Sequence, residues 1–242
     1  VTGKKIGSII LLAVRKEFRG KNHIAENLVQ TVLTLFLQYQ FNMVMVGTDA
    51  DNLPAVFIYL KTGFKPYFQW GTFRYHYQGP FLKSSLKIEK VGPDDKKTMR
   101  KFISLIDRPF SLVHDRTLKP HVNGLLKYMS EKAQEEIQQG KSELVCVKEK
   151  NKVLAYYTFA EQKGISRVLG KKFFRINDLV FLNKNHDKSI KSMHAFLKYL
   201  SMKEASILEV FIRINDWPGI KVLCQSGFTL VHMTTTLHKH LK

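Results

Sequence analysis

The residues best suited to chemistry lie near the start of the chain, in the run Ile9–Ala25, IILLAVRKEFRGKNHIA. A β-branched strand leads into a basic loop, and the loop opens an amphipathic helix. The first N–H groups of a helix have no intrahelical acceptor, and the helix dipole places partial positive charge among them. Such a terminus, with Arg19 and Lys21 adding charge, is suited to cradle a pyrophosphate. The competing reading of the same pattern is an ordinary solvated basic loop. Further candidates are scattered. Asp49 and Asp51 could assist a deprotonation through water or cap the following helix, and capping is the favoured reading. His114-Asp115 and His186-Asp187 join an imidazole to a carboxylate, but sequence neighbours on a loop rarely form a constellation. Asp178, beside Leu179 and Ile176, could reach an acceptor groove or be a charge on an edge strand.

These residues are positioned by a unit that the chain carries twice. The stretch Asp51–Phe64, DNLPAVFIYLKTGF, recurs from Asn215 to Phe228 as NDWPGIKVLCQSGF, without a gap, at an offset of 164 (215 − 51). Pro54/Pro218, Gly63/Gly227 and Phe64/Phe228 coincide, and an alternating apolar run precedes each copy. The pattern predicts, twice, a strand, a turn, a short helix opened near Pro and closed by Gly, and a further strand. The copies differ where chemistry would sit: Asn52, Ala55 and Tyr59 become Asp216, Gly219 and Leu223.

The first half reads as strand (Ile6–Val14, taken as buried), basic loop, helix (Ile24–Gln40), strand (Asn42–Thr48), helix (Pro54–Thr62) and strand (Tyr67–His76). Ile24, Leu28, Val32, Leu35/Phe36 and Tyr39 recur at helical spacing, which predicts the core-facing side of the first helix. Gln78-Gly79-Pro80 reads as a linker. In the second half, Leu86–Val91 alternates like a strand and Gly92-Pro93-Asp94-Asp95 starts a helix over Lys96–Ile106. A second helix is predicted from about Val122 to Gln139. Strands Leu144–Val147 and Val153–Phe159 flank a hairpin turn, and a basic loop (Gln162–Lys172) leads to strand Phe173–Leu182. A helix bearing Ile190, Met193, Leu197 and Leu200 precedes the repeated unit. The order β-α-α-β-β-β-α-β-α-β is therefore whole only in residues 86–242; the first half begins at its fourth strand.

Composition bounds the rest. At 242 residues and 44% apolar, the chain can bury one large core or two modest ones. Its 39 Lys+Arg against 20 Asp+Glu give a net charge of +19, which favours an anionic partner such as a phosphorylated cofactor, nucleic acid or an acidic surface. A Lys-rich solvated surface explains the same number, and no aromatic-basic RNA motif accompanies it. Two cysteines, Cys146 and Cys224, make neither a disulfide framework nor a zinc site, and a reducing, cytoplasmic setting is expected. VTGKKIGSIILLAV mimics a secretory signal but runs into RKEFRGK without a small-residue cleavage pattern. No apolar stretch approaches the roughly 20 residues that span a bilayer.

LAVRKEFRGKNHIAENL resembles motif A of the GNAT acyl-CoA N-acyltransferases, approximately LAVxPEYRGKGIGxxL. Leu12, Ala13 and Val14 match the strand end, Glu17-Phe18 the EY pair, Arg19-Gly20-Lys21 the RGK, and Ile24, Ala25 and Leu28 the helix start. Asn52, Ala55, Tyr59 and Gly63-Phe64 resemble the family's second signature, NxxAxxxYxxxGF. Asn22-His23 stands where the family has a glycine, one residue longer, and Lys16 replaces a common Pro. The resemblance implies a mixed α/β sheet and a co-substrate, taken as acetyl-CoA, with no metal. It implies cofactor contacts from Leu12, Ala13, Val14, Arg19, Gly20, Lys21, Asn22, His23, Ile24, Ala25, Asn52 and Ala55. Backbone N–H around Ala13–Val14 would polarise the thioester carbonyl while a deprotonated amine attacks. Tyr59 would then protonate the departing thiolate; on its helical position alone it reads as a core aromatic.

The chain is accordingly expected to hold two tandem GNAT-like units, residues 1–80 with the acyl-CoA signatures and residues 81–242 complete in elements but degenerate in motifs. The expected function is acyl transfer to a primary amine of a small molecule or protein. The alternative is a non-catalytic CoA-binding or protein-interaction module. A fourth strand at the start leaves one edge unpaired and invites another strand. An upstream segment of roughly 60–70 residues, absent from this sequence, is expected to cover it; without it the chain should be poorly active and prone to associate as a homo-oligomer.

Overall fold

The repeat dictates the architecture, element for element. In the computed structural model, which describes residues 5–77, 85–106, 131–182, 185–214 and 216–241, each copy runs strand, helix, strand at the 164-residue offset. The elements are β2 (Met43–Asp49), α2 (Leu53–Lys61) and β3 (Lys65–His76), then β8 (Ile207–Arg213), α7 (Trp217–Gln225) and β9 (Thr229–His240). Both helices start the same way: the Asn52 side chain accepts from the Ala55 N–H, and Asp216 from the Gly219 N–H. Both place Pro in the first turn, where its missing N–H costs nothing. Both end at a glycine in left-handed backbone, Gly63 at φ 87° and Gly227 at φ 91°.

The chain divides into two compact units, Val1–Gly71 with His232–Lys242, and Thr72–Val231. Strand β3 thus begins in the first unit and ends in the second, while β9 begins in the second and ends in the first. The expected boundary after residue 80 follows the repeat; the contacts divide the chain earlier and move its C-terminal segment to the first unit.

In the first unit the strand order is β1-β2-β9-β3, with β1 spanning Ile6–Ile9. Strand β1 runs parallel to β2, and β2 runs antiparallel to β9, from Met43 opposite His240 to Asp49 opposite Thr234. Its core gathers Ile9, Val29, Leu33, Val44, Val46, Tyr59, Phe64 and Leu237. Two expectations are corrected here. Ile6–Val14 is not one buried strand: pairing stops at Ile9, and Ile10 and Leu11 are 91% and 85% exposed. No strand among the described residues covers the outer edge of β1, so these side chains have nothing to pack on. Helix α1 (Ile24–Gln38) buries Val29 and Leu33, whereas Leu28, Leu35 and Tyr39 are exposed. The apolar arc of this helix is wider than the face it buries, and Phe36 marks which part of the arc faces the sheet. Its ring lies so close over Gly7 that a Cβ there would come within 2.4 Å of it.

In the second unit the order is β3-β8-β7-β6-β5-β4. Its further elements are β4 (Lys87–Val91), α3 (Lys96–Ile106), α4 (131–138), β5 (Glu143–Glu149), β6 (Lys152–Glu161), α5 (Lys163–Leu169), β7 (Phe173–Phe181) and α6 (His186–Ser201). The hairpin between β5 and β6 turns through Lys150 at φ 54°, as the polar run predicts. The predicted basic loop 162–172 instead contains α5, which buries none of its residues and so leaves no periodic apolar signal. The start of the helix predicted at Val122, the linker 78–80 and His114-Asp115 lie outside the described residues. One core packs Tyr157, Phe159, Phe196, Leu208 and Leu223 between the sheet and helices α6 and α7; a second packs α3 against β5 and β6.

Candidate active site

The parallel pairs β1/β2 and β7/β8 stop at matching points. Ile6 faces Met43 and Ile9 faces Val46; Phe173 faces Ile207 and Ile176 faces Val210. Since 43 and 46 map to 207 and 210 at the repeat offset, both units stop pairing at the same residue. Beyond it β2 continues to Asp49 and β8 to Arg213. Each unit therefore has an opening at the C-terminal ends of its parallel strands, the usual place for a ligand in such sheets.

Leu12 and Ala55 are half-buried against the core that holds Tyr59. The chain then makes a single 3-10 turn at Lys16–Phe18, and the Arg19 Nε donates to the Val14 carbonyl at 3.0 Å, which draws the loop closed. Gly20, Asn22 and His23 adopt left-handed backbone at φ 74°, 46° and 52°. The additional residue relative to motif A is thus absorbed by two consecutive left-handed residues, of types that tolerate this region better than most. His23 occupies the N-cap of α1 without a side-chain cap bond, leaving the N–H groups of that turn to the loop. Its exposed ring leans along the helix, Nδ1 at 3.3 Å from Glu26 Oε1, and Lys61 Nζ on α2 meets the same oxygen at 2.7 Å. Lys61 is the main cause that holds the Glu26 carboxyl below its ordinary range, with His23 adding to it. Lys21 is exposed, and Ile24 and Ala25 are half-buried at the helix start.

Tyr59 is 5% exposed, and its ring packs edge-on against Phe64 at 5.6 Å. Burial raises its phenol above the usual range, so the group keeps its proton at neutral pH, the state a proton donor needs. Asn52 spends its side-chain oxygen on capping α2, at 3.4 Å from the Ala55 nitrogen. The capping role considered for Asp49 and Asp51 therefore belongs to Asn52. Asp49 instead approaches a residue far away in sequence: its Oδ1 lies 3.1 Å from the Nε2 of His232 on β9. Comparing the repeats only over 51–64 and 215–228 hides this pair; carried further, the offset sets Asp49 against Arg213 and Phe68 against His232.

The second opening is built differently. Asn185 caps α6 by accepting from the Lys188 N–H at 3.1 Å, so a side chain already occupies the terminus that the first unit leaves open. At Gly219, the counterpart of Ala55, an added Cβ would meet Ile212 Cδ1 at 2.6 Å. Tyr59 is replaced by Leu223, fully buried. His186 pairs with Gln225 rather than with Asp187. Thr158 faces Asp178 while Phe159 faces Ile176, so β7 bulges at Asn177. Asp178 bonds to the Thr158 hydroxyl, and burial raises its carboxyl pKa. A groove of about 960 Å³ in the second unit lies among Lys132, Glu143, Phe159, Lys163, Lys172 and Arg175 and includes none of the predicted site residues.

Two tandem mixed α/β units, one with an uncapped basic loop beside its opening, define the class as a duplicated GNAT-type fold. Residues 2–64 match the acetyltransferase (GNAT) family, the span in which both motifs were found. Among solved structures, a tandem GNAT protein from the clavulanic acid biosynthesis pathway superposes with a TM-score of 0.64 at 10% identity, covering 98% of this chain and 76% of its own. A GCN5-related N-acetyltransferase from Sphaerobacter thermophilus gives 0.63 at 11% identity, with 94% and 70% covered. A GNAT-family acetyltransferase from Colwellia psychrerythraea gives 0.56 at 12%, with 96% and 77% covered. At these identities the likeness is one of fold. No curated protein matches the chain. No helix among the described residues is long and apolar enough to cross a membrane, and no group of three or more His, Cys, Asp or Glu among them could hold a metal ion.

Proposed function

We propose that the first unit binds an acyl-CoA, acetyl-CoA in the simplest case, and transfers its acyl group to a primary amine of a small molecule or protein. The observation that carries this reading is the loop 15–23. Three left-handed residues and an uncapped helix start follow a strand that has just parted from its neighbour, in the segment that matches the GNAT family. Leu12–Val14, Arg19–Ala25, Asn52 and Ala55 would contact the cofactor, the backbone near Ala13–Val14 would polarise the thioester, and Tyr59 would protonate the leaving thiolate. The capped α6 and the filled space at Gly219 support a single binding site. Both free cysteines suit a reducing cytoplasmic setting.

Calorimetry with acetyl-CoA should give one site per chain, and CoA release should depend on added amine. Binding with no turnover of any of a broad amine panel would favour the non-catalytic module, a reading that the exposed Ile10 and Leu11 just past the end of β1 support as a protein-interaction surface. Two equivalent sites, or none, would overturn the proposal. Nucleic acid competes poorly as the explanation of the +19 charge, and binding of RNA that weakens with salt while acetyl-CoA does not bind would reverse that ranking.

A further inference from the structure

The Asp49–His232 pair stands where the first unit's chemistry would take place, and neither motif includes it. Asp49 is the last residue of β2 and faces Thr234 across the ladder. His232 lies two residues before Thr234, so both side chains leave β9 on the same face, and His232 is the diagonal neighbour of Asp49 on that face. Gly47, opposite Thr236, is on the same face and contributes no side chain; an added Cβ there would meet only Thr234, at 3.6 Å. All three residues of β2 after Val46, where pairing with β1 stops, border the opening. The bond Ala50 N–H to Met233 carbonyl, 2.9 Å, fixes β9 beside this end of β2. His232 and Asp49 side chains are 40% and 60% exposed, open to a substrate arriving from solvent. With Nε2 directed at the carboxylate, the neutral ring carries its proton there, and Nδ1 is left as the acceptor.

We infer that His232 is the general base that deprotonates the acceptor amine, and that Asp49 is the positioning residue that fixes its ring and tautomer. This rests on the acyl-transfer reading of the same unit. The ammonium of the acceptor loses a proton to His232 Nδ1, and the freed lone pair forms the C–N bond to the thioester carbon. The C–S bond breaks, and the thiolate takes the proton of Tyr59. The ammonium's three protons are then accounted for: one stays on the amide, one replaces that of Tyr59 and so balances the CoA thiol, and one leaves to solvent through His232. At the repeat offset Asp49 and His232 fall opposite Arg213 and Phe68, residue types that supply no such base.

The first test needs no known acceptor. Diethyl pyrocarbonate should carbethoxylate His232 in the free protein, and saturating acetyl-CoA should abolish that labelling, read by peptide mass spectrometry. With whichever amine is turned over, His232→Ala should lower kcat about 10²-fold at unchanged acetyl-CoA affinity, and free imidazole should restore part of the rate. Asp49→Asn should lower kcat less and add nothing in the double variant. If acetyl-CoA binds yet leaves His232 labelling unchanged, or His232→Ala keeps its rate, the pair is a surface ion pair and this inference falls alone. If acetyl-CoA does not bind the wild-type protein, the acyl-transfer reading fails and takes this one with it.

Discussion

Helices α2 and α7 occupy the same place after the same strand, behind the same kind of cap and before the same left-handed glycine, yet they serve different ends. In the first unit Ala55 packs on the core that holds Tyr59, and the helix that follows the basic loop starts without a side-chain cap. In the second, Ile212 closes over Gly219, Leu223 replaces the phenol, and Asn185 occupies the helix terminus that would receive an anion. Strand register, caps and glycine turns belong to the fold and persist in both copies. A helix start free of a side-chain cap, with open space beside the loop glycine, belongs to the site and persists in one.

The comparison can be broken most severely at β9. Ending the chain after Val231 removes the strand that pairs with β2, and hydrogen exchange should show α1 and β2 losing protection while α6 and β7 keep theirs. Uniform loss in both units would show that they do not open separately. Next in size, Gly20→Asp places a carboxylate in the loop and a side chain on left-handed backbone, and acetyl-CoA binding should disappear from calorimetry. The matching insult in the second unit, Asn185→Asp, should leave binding intact. Tyr59→Phe should lower turnover about 10²-fold with little change in acetyl-CoA affinity; an unchanged rate would make Tyr59 a packing residue like Leu223.

The smallest expected effect concerns pH and the second unit. Because burial raises the Asp178 carboxyl, the native state holds that proton more tightly than the unfolded chain does. Its contribution is full below the unfolded value of about 3.9 and is lost as pH rises through the raised native value. Asp178→Asn should therefore flatten the fall in urea midpoint between acid and neutral pH. An identical pH dependence in both proteins would place Asp178 in solvent-like surroundings.

Much of this was legible in the residues. The offset between the copies locates α2 and α7 to within a residue, because caps, Pro and Gly act locally, and motif A marks the loop. Legibility ended where tertiary contact decides. The apolar arc of α1 is wider than the face it buries, and the sequence could not show that Phe36 lies over Gly7, so Leu28 and Leu35 fall outside the buried face. Helix α5 buries nothing and so left no pattern. The Asp49–His232 approach joins segments at opposite ends of the chain, and only the path of β9 brings them together.

That path also orders events in time. The first unit's sheet cannot close until the segment after Val231 has left the ribosome, since Met43–Asp49 pairs with residues up to His240. Contacts so distant in sequence are slow to form because a long loop must close first. The N-terminal half therefore waits, with one edge of β2 unpaired and the place of Leu237 in its core unfilled, while residues 72–231 are made. Acetyl-CoA binding by the nascent chain should consequently appear late and all at once, as a signal that synthesis has run through β9.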